Sequence, residues 1–297
     1  MYFQSQPLCV SARGQLYFRG LCRHGRKASA LASVSIFLLA FQMGGATDDP
    51  SDAKQLMREV IHSEIDSQAH EAGDNHLWSY RELTRQKGKE QLFKYCQTKL
   101  GTIHRLLAVN GQSLNAAQRQ VEEKRIQKLI QSPDAMLAAQ KKERADAEEE
   151  IKFLKVFPEA FRFQEENRQG DVVQLLFTPD PAFHPSGIEE RVLHYMQGTI
   201  VVNVIQKRLV SVSGRLMTEV KFLGGLAGYL NAGGTFSVQS ESVAPGDWEL
   251  KSLDIEMRGK ALLFKTFTVE EHDTYSRYTP VPPGTTLAEA TEILKKD

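Results

Sequence analysis

A chain of 297 residues, 41% hydrophobic and 25% charged, is long enough to hold one large domain with a proper core. Its 37 Lys and Arg balance 37 Asp and Glu, yet five of the bases and none of the acids fall in residues 1–46, which leaves 32 against 37, about −5, for the remainder. A mildly acidic body without a basic stripe excludes nucleic acid as the main partner.

The bases Arg13, Arg19, Arg23, Arg26 and Lys27 precede an apolar run over residues 28–41, and Gly44, Gly45 and Ala46 follow it. That layout predicts a signal peptide over residues 1–46, cleaved after Ala46, and export to a bacterial periplasm. The run is shorter than the roughly 20 residues of a bilayer span, so an uncleaved anchor is disfavoured and membrane contact is expected to be transient. Cys9 and Cys22 lie in this segment, which leaves Cys96 alone. With no disulfide partner and no zinc spacing, it reads as a small buried apolar residue rather than a nucleophile or an intermolecular bridge.

Residues 49–72 read as a helix: Pro50 suits its first turn, and Leu56, Met57, Val60, Ile61 and Ile65 recur at helical spacing. Strands over residues 77–84, 91–98 and 103–109 form a first meander, closed by Asn110-Gly111 in a turn that accepts positive φ. The period then changes. Residues 114–154 predict a helical hairpin inserted between two β segments, broken at Ser132-Pro133-Asp134, with residues 140–150 almost without large apolar side chains.

Residues 171–178 are apolar on both strand faces, which predicts cover on both sides. From residue 198 to 279 nearly everything reads as strand: 198–206, 208–222, 234–243, 248–258, 260–270 and 274–279. Gly214 is expected to bend the second of these midway. Residues 224–228 interrupt the sheet as a glycine-rich flap without Gly-Lys-Ser/Thr. Trp248 and Leu250 have the opposite parity from Leu253, Ile255 and Met257, which predicts a β-bulge near Lys251-Ser252. Arg258-Gly259-Lys260 reads as a tight turn. After a linker from residue 280, Thr286 with Glu289 forms a capping box for a short terminal helix.

No catalytic, metal or cofactor motif stands above background. His62, His70 and His76 lack the spacing of a zinc site, and His184, His194 and His272 are scattered without a nucleophile elbow. Ser211 and Ser213 lie on the polar side of a strand. Glu270, Glu271 and Asp273 could supply paired carboxylates for sugar chemistry, but such a trio reads first as solvated turn composition. What stands out is apolar excess: several strands are greasy on both faces and few helices are present to cover them. A sheet curled around helices, or around a ligand, would satisfy both faces.

Residues 198–206 followed by Lys207-Arg208-Leu209-Val210-Ser211-Val212-Ser213-Gly214 are similar to the paired central strands of the lipoprotein-carrier superfamily of the bacterial envelope, the LolA/LolB-like half-barrels. Trp248-Glu249-Leu250 running into Gly259-Lys260-Ala261-Leu262-Leu263-Phe264 resembles a later hairpin of that family. The resemblance implies an apolar concave sheet that holds acyl chains. The expected fold is α+β, mainly antiparallel β: a curved sheet or incomplete barrel over residues 47–279 wrapping helices, with residues 280–297 as linker and helix. The expected function is non-enzymatic binding of a lipid or lipoprotein acyl chain, lined by Val210, Val212, Leu216, Phe222, Phe236, Val238, Trp248 and Leu250. A protein-interaction or sensor module working through residues 116–154 is the alternative, and a hydrolase of unfamiliar kind comes third.

Overall fold

Alternating apolar and polar residues do form strands here, and almost every strand pairs with its neighbour in the sequence. The computed structural model describes residues 28–29, 50–71, 77–225, 228–245, 247–261 and 265–296. Except for Ala28 and Ser29, the leader segment therefore lies outside the described residues, as do His76 and the Leu262–Phe264 part of the later hairpin.

A two-residue strand β1 (Ala28–Ser29) and helix α1 (Pro50–Glu71) precede the meander β2 (Leu77–Gln86), β3 (Lys89–Thr98) and β4 (Gly101–Val109), onto which β5 (Gln112–Ser113) folds back. Helices α2 (Ala116–Ile130) and α3 (Pro133–Ala160) come next. They are followed by β6 (Phe161–Gln169), β7 (Val172–Pro179), α4 (Ile188–Leu193), β8 (Met196–Asn203) and β9 (Arg208–Leu216). The chain ends through β10 (Val220–Phe222), β11 (Gly228–Leu230), β12 (Thr235–Ala244), β13 (Asp247–Ala261), β14 (Lys265–Val281) and α5 (Leu287–Lys295).

The sheet order is β5-β4-β3-β2-β14-β13-β12-β9-β8-β7-β6, with β10 and β11 as a side hairpin that returns to β13. The sheet is antiparallel, curved and open, with β4 and β5 at one edge and β6 at the other. The pairing of β2 with β14 joins the first meander to the second, and no local pattern specifies it.

Several expectations change in detail. The second meander divides differently: β14 runs unbroken through residues expected to form two strands. Gly259 is no turn residue but lies inside β13, where a Cβ would stand 2.8 Å from the Phe267 ring. Residues 208–222 form two strands, β9 and β10, and Gly214 lies inside the first of them. It pairs directly with Gly198 on β8, and the rings of Phe236 and Phe177 occupy the space that the two side chains would need. On β7 one face is buried through Val173, Leu175 and Phe177, while Val172 and Leu176 are only half-buried, so cover on both sides is not found. The bulge does occur: Leu250 pairs with Ser240 and Ser252 with Gln239, which leaves Lys251 as the extra residue.

Apolar side chains collect in two cores on opposite faces of the sheet. The larger lies on the concave face, where Met57, Val60 and Ile61 of α1 and Leu154 and Phe157 at the end of α3 meet the inward residues of β6 to β9 and β12 to β14. A fully buried side chain of this size contributes about 1.5–3 kcal/mol. The smaller core, with Cys96, Ile103, Met136, Val281, Ala290 and Leu294, lies on the other face under α5 and the start of α3. The capping box of α5 is present: Thr286 Oγ1 accepts from the Glu289 N–H at 3.2 Å, and the Thr286 N–H donates to Glu289 Oε2 at 2.8 Å.

The helical insertion is not free-standing. At 28 residues, about 42 Å, α3 is a strut between the two cores, and it continues past Leu154 to Ala160 with Pro158 in its last turn. Helix α2 closes the β4 edge. Glu122 Oε1 accepts from the Leu106 N–H at 2.8 Å, and Arg125 Nη2 donates to the His104 carbonyl at 2.6 Å. Side chains thus stand in for the missing neighbour strand, which blunts an edge open to further pairing. Burial alone would push the Glu122 carboxyl up. Hydrogen bonds from Arg125 and the Leu106 N–H, with the Arg125 charge, outweigh it and hold the group below the usual glutamate range. A folded-state value below the unfolded one contributes stability above the unfolded value, lost as pH falls through the folded value. Glu122→Gln is therefore expected to cost about 1–3 kcal/mol at neutral pH. That difference should shrink as pH falls below about 4.3, which urea unfolding at a series of pH values checks.

Candidate functional site

The concave face positions the residues expected to bind ligand. Val212, Leu216, Phe222, Phe236, Val238 and Leu250 all belong to one apolar cluster or pack against it. Two residues depart from that grouping. Trp248 is buried but stands outside the cluster, and Val210 does not face it. Leu209 pairs with Val202 and Ser211 with Val201, so Val210 is the extra residue of a bulge and Leu209 takes the inward place. Strict alternation fails wherever a bulge is not announced by a change of residue type.

Helix α1 fills one part of this face. Its closest sheet contacts are with β6 and β9, and those of α3 are with β6 and β4. Polar ties fix α1 along its flanks. Arg58 pairs with Glu159 at 2.7 Å, and Lys207 with Glu59 at 2.7 Å. Arg208 Nη1 donates to Glu64 Oε2 at 2.9 Å, and the Leu209 N–H donates to Glu64 Oε1 at 2.8 Å. The Leu209 amide lies beside the bulge at Val210, so Glu64 satisfies a ladder group next to the irregularity.

Beyond α1 the inward surface continues over β13 and β14 and then changes character. Leu253, Ile255 and Met257 on β13 belong to the apolar cluster. Asp273 and Glu271 on β14 are their neighbours, paired directly with Leu253 and Ile255, and both acids are buried. The carboxylate trio is therefore neither a turn nor solvated: it lies inside a long strand, two of its members face inward, and only Glu270 is exposed. The alternation Val269, Glu271, Asp273, Tyr275 could have revealed this, had residues 271–273 not resembled a polar connection.

Next to the acids lies an aromatic row. Tyr95 of β3 stacks on Tyr80 of β2 at 5.0 Å and 8°, and Tyr80 on Tyr278 of β14 at 5.2 Å and 27°. Trp78 meets Tyr278 edge-on at 6.3 Å. Because the stacked rings cover one another's faces, they offer edges and hydroxyl groups rather than open π-surfaces. The Tyr278 hydroxyl donates to the Leu250 carbonyl at 2.6 Å. Burial, and then nearby Glu249, Tyr80, Glu241 and Glu82, push its phenol well up, which marks this end as acidic. The concave face is thus amphipathic, apolar near α1 and aromatic with carboxylates across β14 and β2.

The other candidates are placed as follows. Cys96 is buried in the smaller core, and burial pushes its thiol up to about 11, which suits an apolar filler and not a thiolate. His62 is exposed beside Asp66 at 3.1 Å, and His194 packs edge-on against Phe183. His272 Nδ1 lies 2.9 Å from Asp254 Oδ1 on the outer face. Nearby, a shallow outer cleft of about 550 Å³ is lined by residues of both charges, among them Lys87, Lys89, Glu90 and Glu270. Among the described residues no group of three or more His, Cys, Asp or Glu could hold a metal ion, and no helix is long and apolar enough to cross a membrane.

No family model matches the sequence, and no curated protein matches it. Among solved structures, the chain is similar to the crystal structure of a DUF1329 family protein from Desulfovibrio piger. The match covers 84% of this chain and 100% of that one, at 10% identity and a TM-score of 0.26. At that level the likeness carries no argument about fold or function.

Proposed function

We propose that the protein is an exported, non-enzymatic binder of a hydrophobic ligand, held between α1 and the concave face of the sheet. The observation that carries this reading is the extent of the apolar inward surface. It runs from Phe161 on β6 to Met257 on β13, well past the strands with which α1 makes its closest contacts. The likeness of the central strands to LolA/LolB-like half-barrels supports the same reading, and so does the basic and apolar leader pattern of residues 1–46. At about 25 cal/mol per Å² of apolar surface, a buried alkyl chain gains several kcal/mol, enough for a reversible carrier.

Entry of a ligand displaces part of the α1 stripe, so affinity reflects the balance between helix packing and ligand packing. Native mass spectrometry, together with displacement of the neutral probe N-phenyl-1-naphthylamine by dodecanol, tests the reading. Saturable binding of one alkyl chain is expected, weakened about tenfold by Val238→Trp, which fills the inward surface. Absence of saturable binding to the wild-type chain overturns it.

A further inference from the structure

We propose that the ligand is a cationic amphiphile, an alkyl chain bearing an ammonium group, and that Glu271 and Asp273 receive the charge. This rests on the concave face being the ligand site. Along that face the inward positions of β2 residues 78–86, β13 residues 253–257 and β14 residues 267–275 carry Glu82, Glu271 and Asp273, and no lysine or arginine. Arg208, on β9 beyond β12, is engaged by Glu64. Among the described residues, every charge at the inward positions of these three strands is therefore negative; the nearest base by register is Lys89, exposed at the start of β3 opposite Gln86.

Glu271 supplies the independent sign of a ligand. It is 9% exposed, and its Oε2 atom is buried without a hydrogen-bond partner. A carboxylate oxygen taken out of water and left unpaired is costly, and an arriving ammonium returns that cost through charge-assisted hydrogen bonds. The neighbours suit such a head group. Asp273 stands two residues away on the same strand face, about 7 Å along. Across the ladder, Gln86 pairs with Glu271 and Thr84 with Asp273, which adds neutral acceptors. On the other side Ile255 and Leu253 are the direct partners of the two acids, so an alkyl chain leaving the head group passes at once onto the apolar cluster. A ligand ending in a carboxylate would meet like charge at the same place.

The test compares three probes of one chain length on the full-length protein: dodecylammonium, dodecanol and dodecanoate, below micellar concentrations, by calorimetric titration. Dodecylammonium is expected to bind at least about tenfold more tightly than dodecanol, and dodecanoate more weakly than either. The isosteric variants Glu271→Gln and Asp273→Asn should remove that preference, bringing dodecylammonium affinity down to that of dodecanol for the same variant. Dodecanol binding with no preference for the ammonium overturns this inference alone. Failure of all three to bind overturns both it and the hydrophobic-ligand reading. Equal loss of all three probes in the variants assigns the carboxylates to folding and also overturns it.

Discussion

Replacing Gly198 by alanine is expected to remove at least about 3 kcal/mol of stability, a large share of the total for an ordinary domain. The reason is backbone geometry. A Cβ at Gly198 would stand 1.9 Å from the Ser213 carbonyl oxygen and 2.6 Å from Gly214 Cα, and neither can yield without opening the β8–β9 ladder. It would also meet the Phe177 ring at 2.8 Å. The glycine pair exists so that aromatic rings can lie on bare backbone, and the ring beside Gly214 belongs to Phe236, one of the residues lining the concave face. Gly111→Ala is the matched control. Gly111 has φ +73° with nothing within 4 Å of a new Cβ, so only left-handed strain remains, about 1–2 kcal/mol. Urea unfolding of both variants decides the matter, and equal losses would refute the packing role of the pair.

Arg208→Met should cost about 3–5 kcal/mol, because it leaves a buried carboxylate without its guanidinium. The side chains of Arg208 and Glu64 are 5% and 12% exposed. Burial pushes the Glu64 carboxyl up, against the pull of Arg208 and of the Leu209 N–H. A folded-state value above the unfolded one contributes stability that is full below the unfolded value and lost as pH rises through the folded value. Without Arg208 that loss grows, so the deficit of Arg208→Met should be small near pH 4 and largest at about pH 7. The double variant Glu64→Gln with Arg208→Met should recover much of it, since the amide oxygen still accepts from the Leu209 N–H and no charge is buried. Thermal melts of the three proteins at two pH values give the answer, and a deficit independent of pH would count against the buried charge as its cause.

These two sites also show which structural features a sequence announces. The α1 stripe, the Asn110-Gly111 turn, the Pro133 break and the Thr286–Glu289 capping box are local: each rests on residues within one or two turns of chain, and each occurs where the spacing places it. The bulge at Lys251 was equally legible, because apolar parity changes across it. The bulge at Val210 was not, because Leu209, Val210 and Val212 are all apolar and alternation there has no contrast. Gly259 resembled a turn because Arg and Lys flank it, yet the approach of Phe267 and of the Tyr229 carbonyl explains the glycine.

Deletion of residues 116–154, the natural way to test the charged insertion as a partner-binding arm, would remove Ile126, Met136 and Leu154 from buried positions. Surface substitutions on the polar middle of α3 are the cleaner probe of that alternative.

By itself the sequence determined the element types, the antiparallel order within each meander and the amphipathic stripe of α1, because these depend on periodicity and short-range turn chemistry. Only the tertiary structure decided that β2 pairs with β14, that Gly198 faces Gly214, that Glu64 answers Arg208 and that Glu271 and Asp273 turn inward beside Ile255 and Leu253. Those outcomes depend on which distant strands become neighbours. Side-chain alternation gives a residue one of two faces, but it cannot say which face will be covered or what will stand opposite.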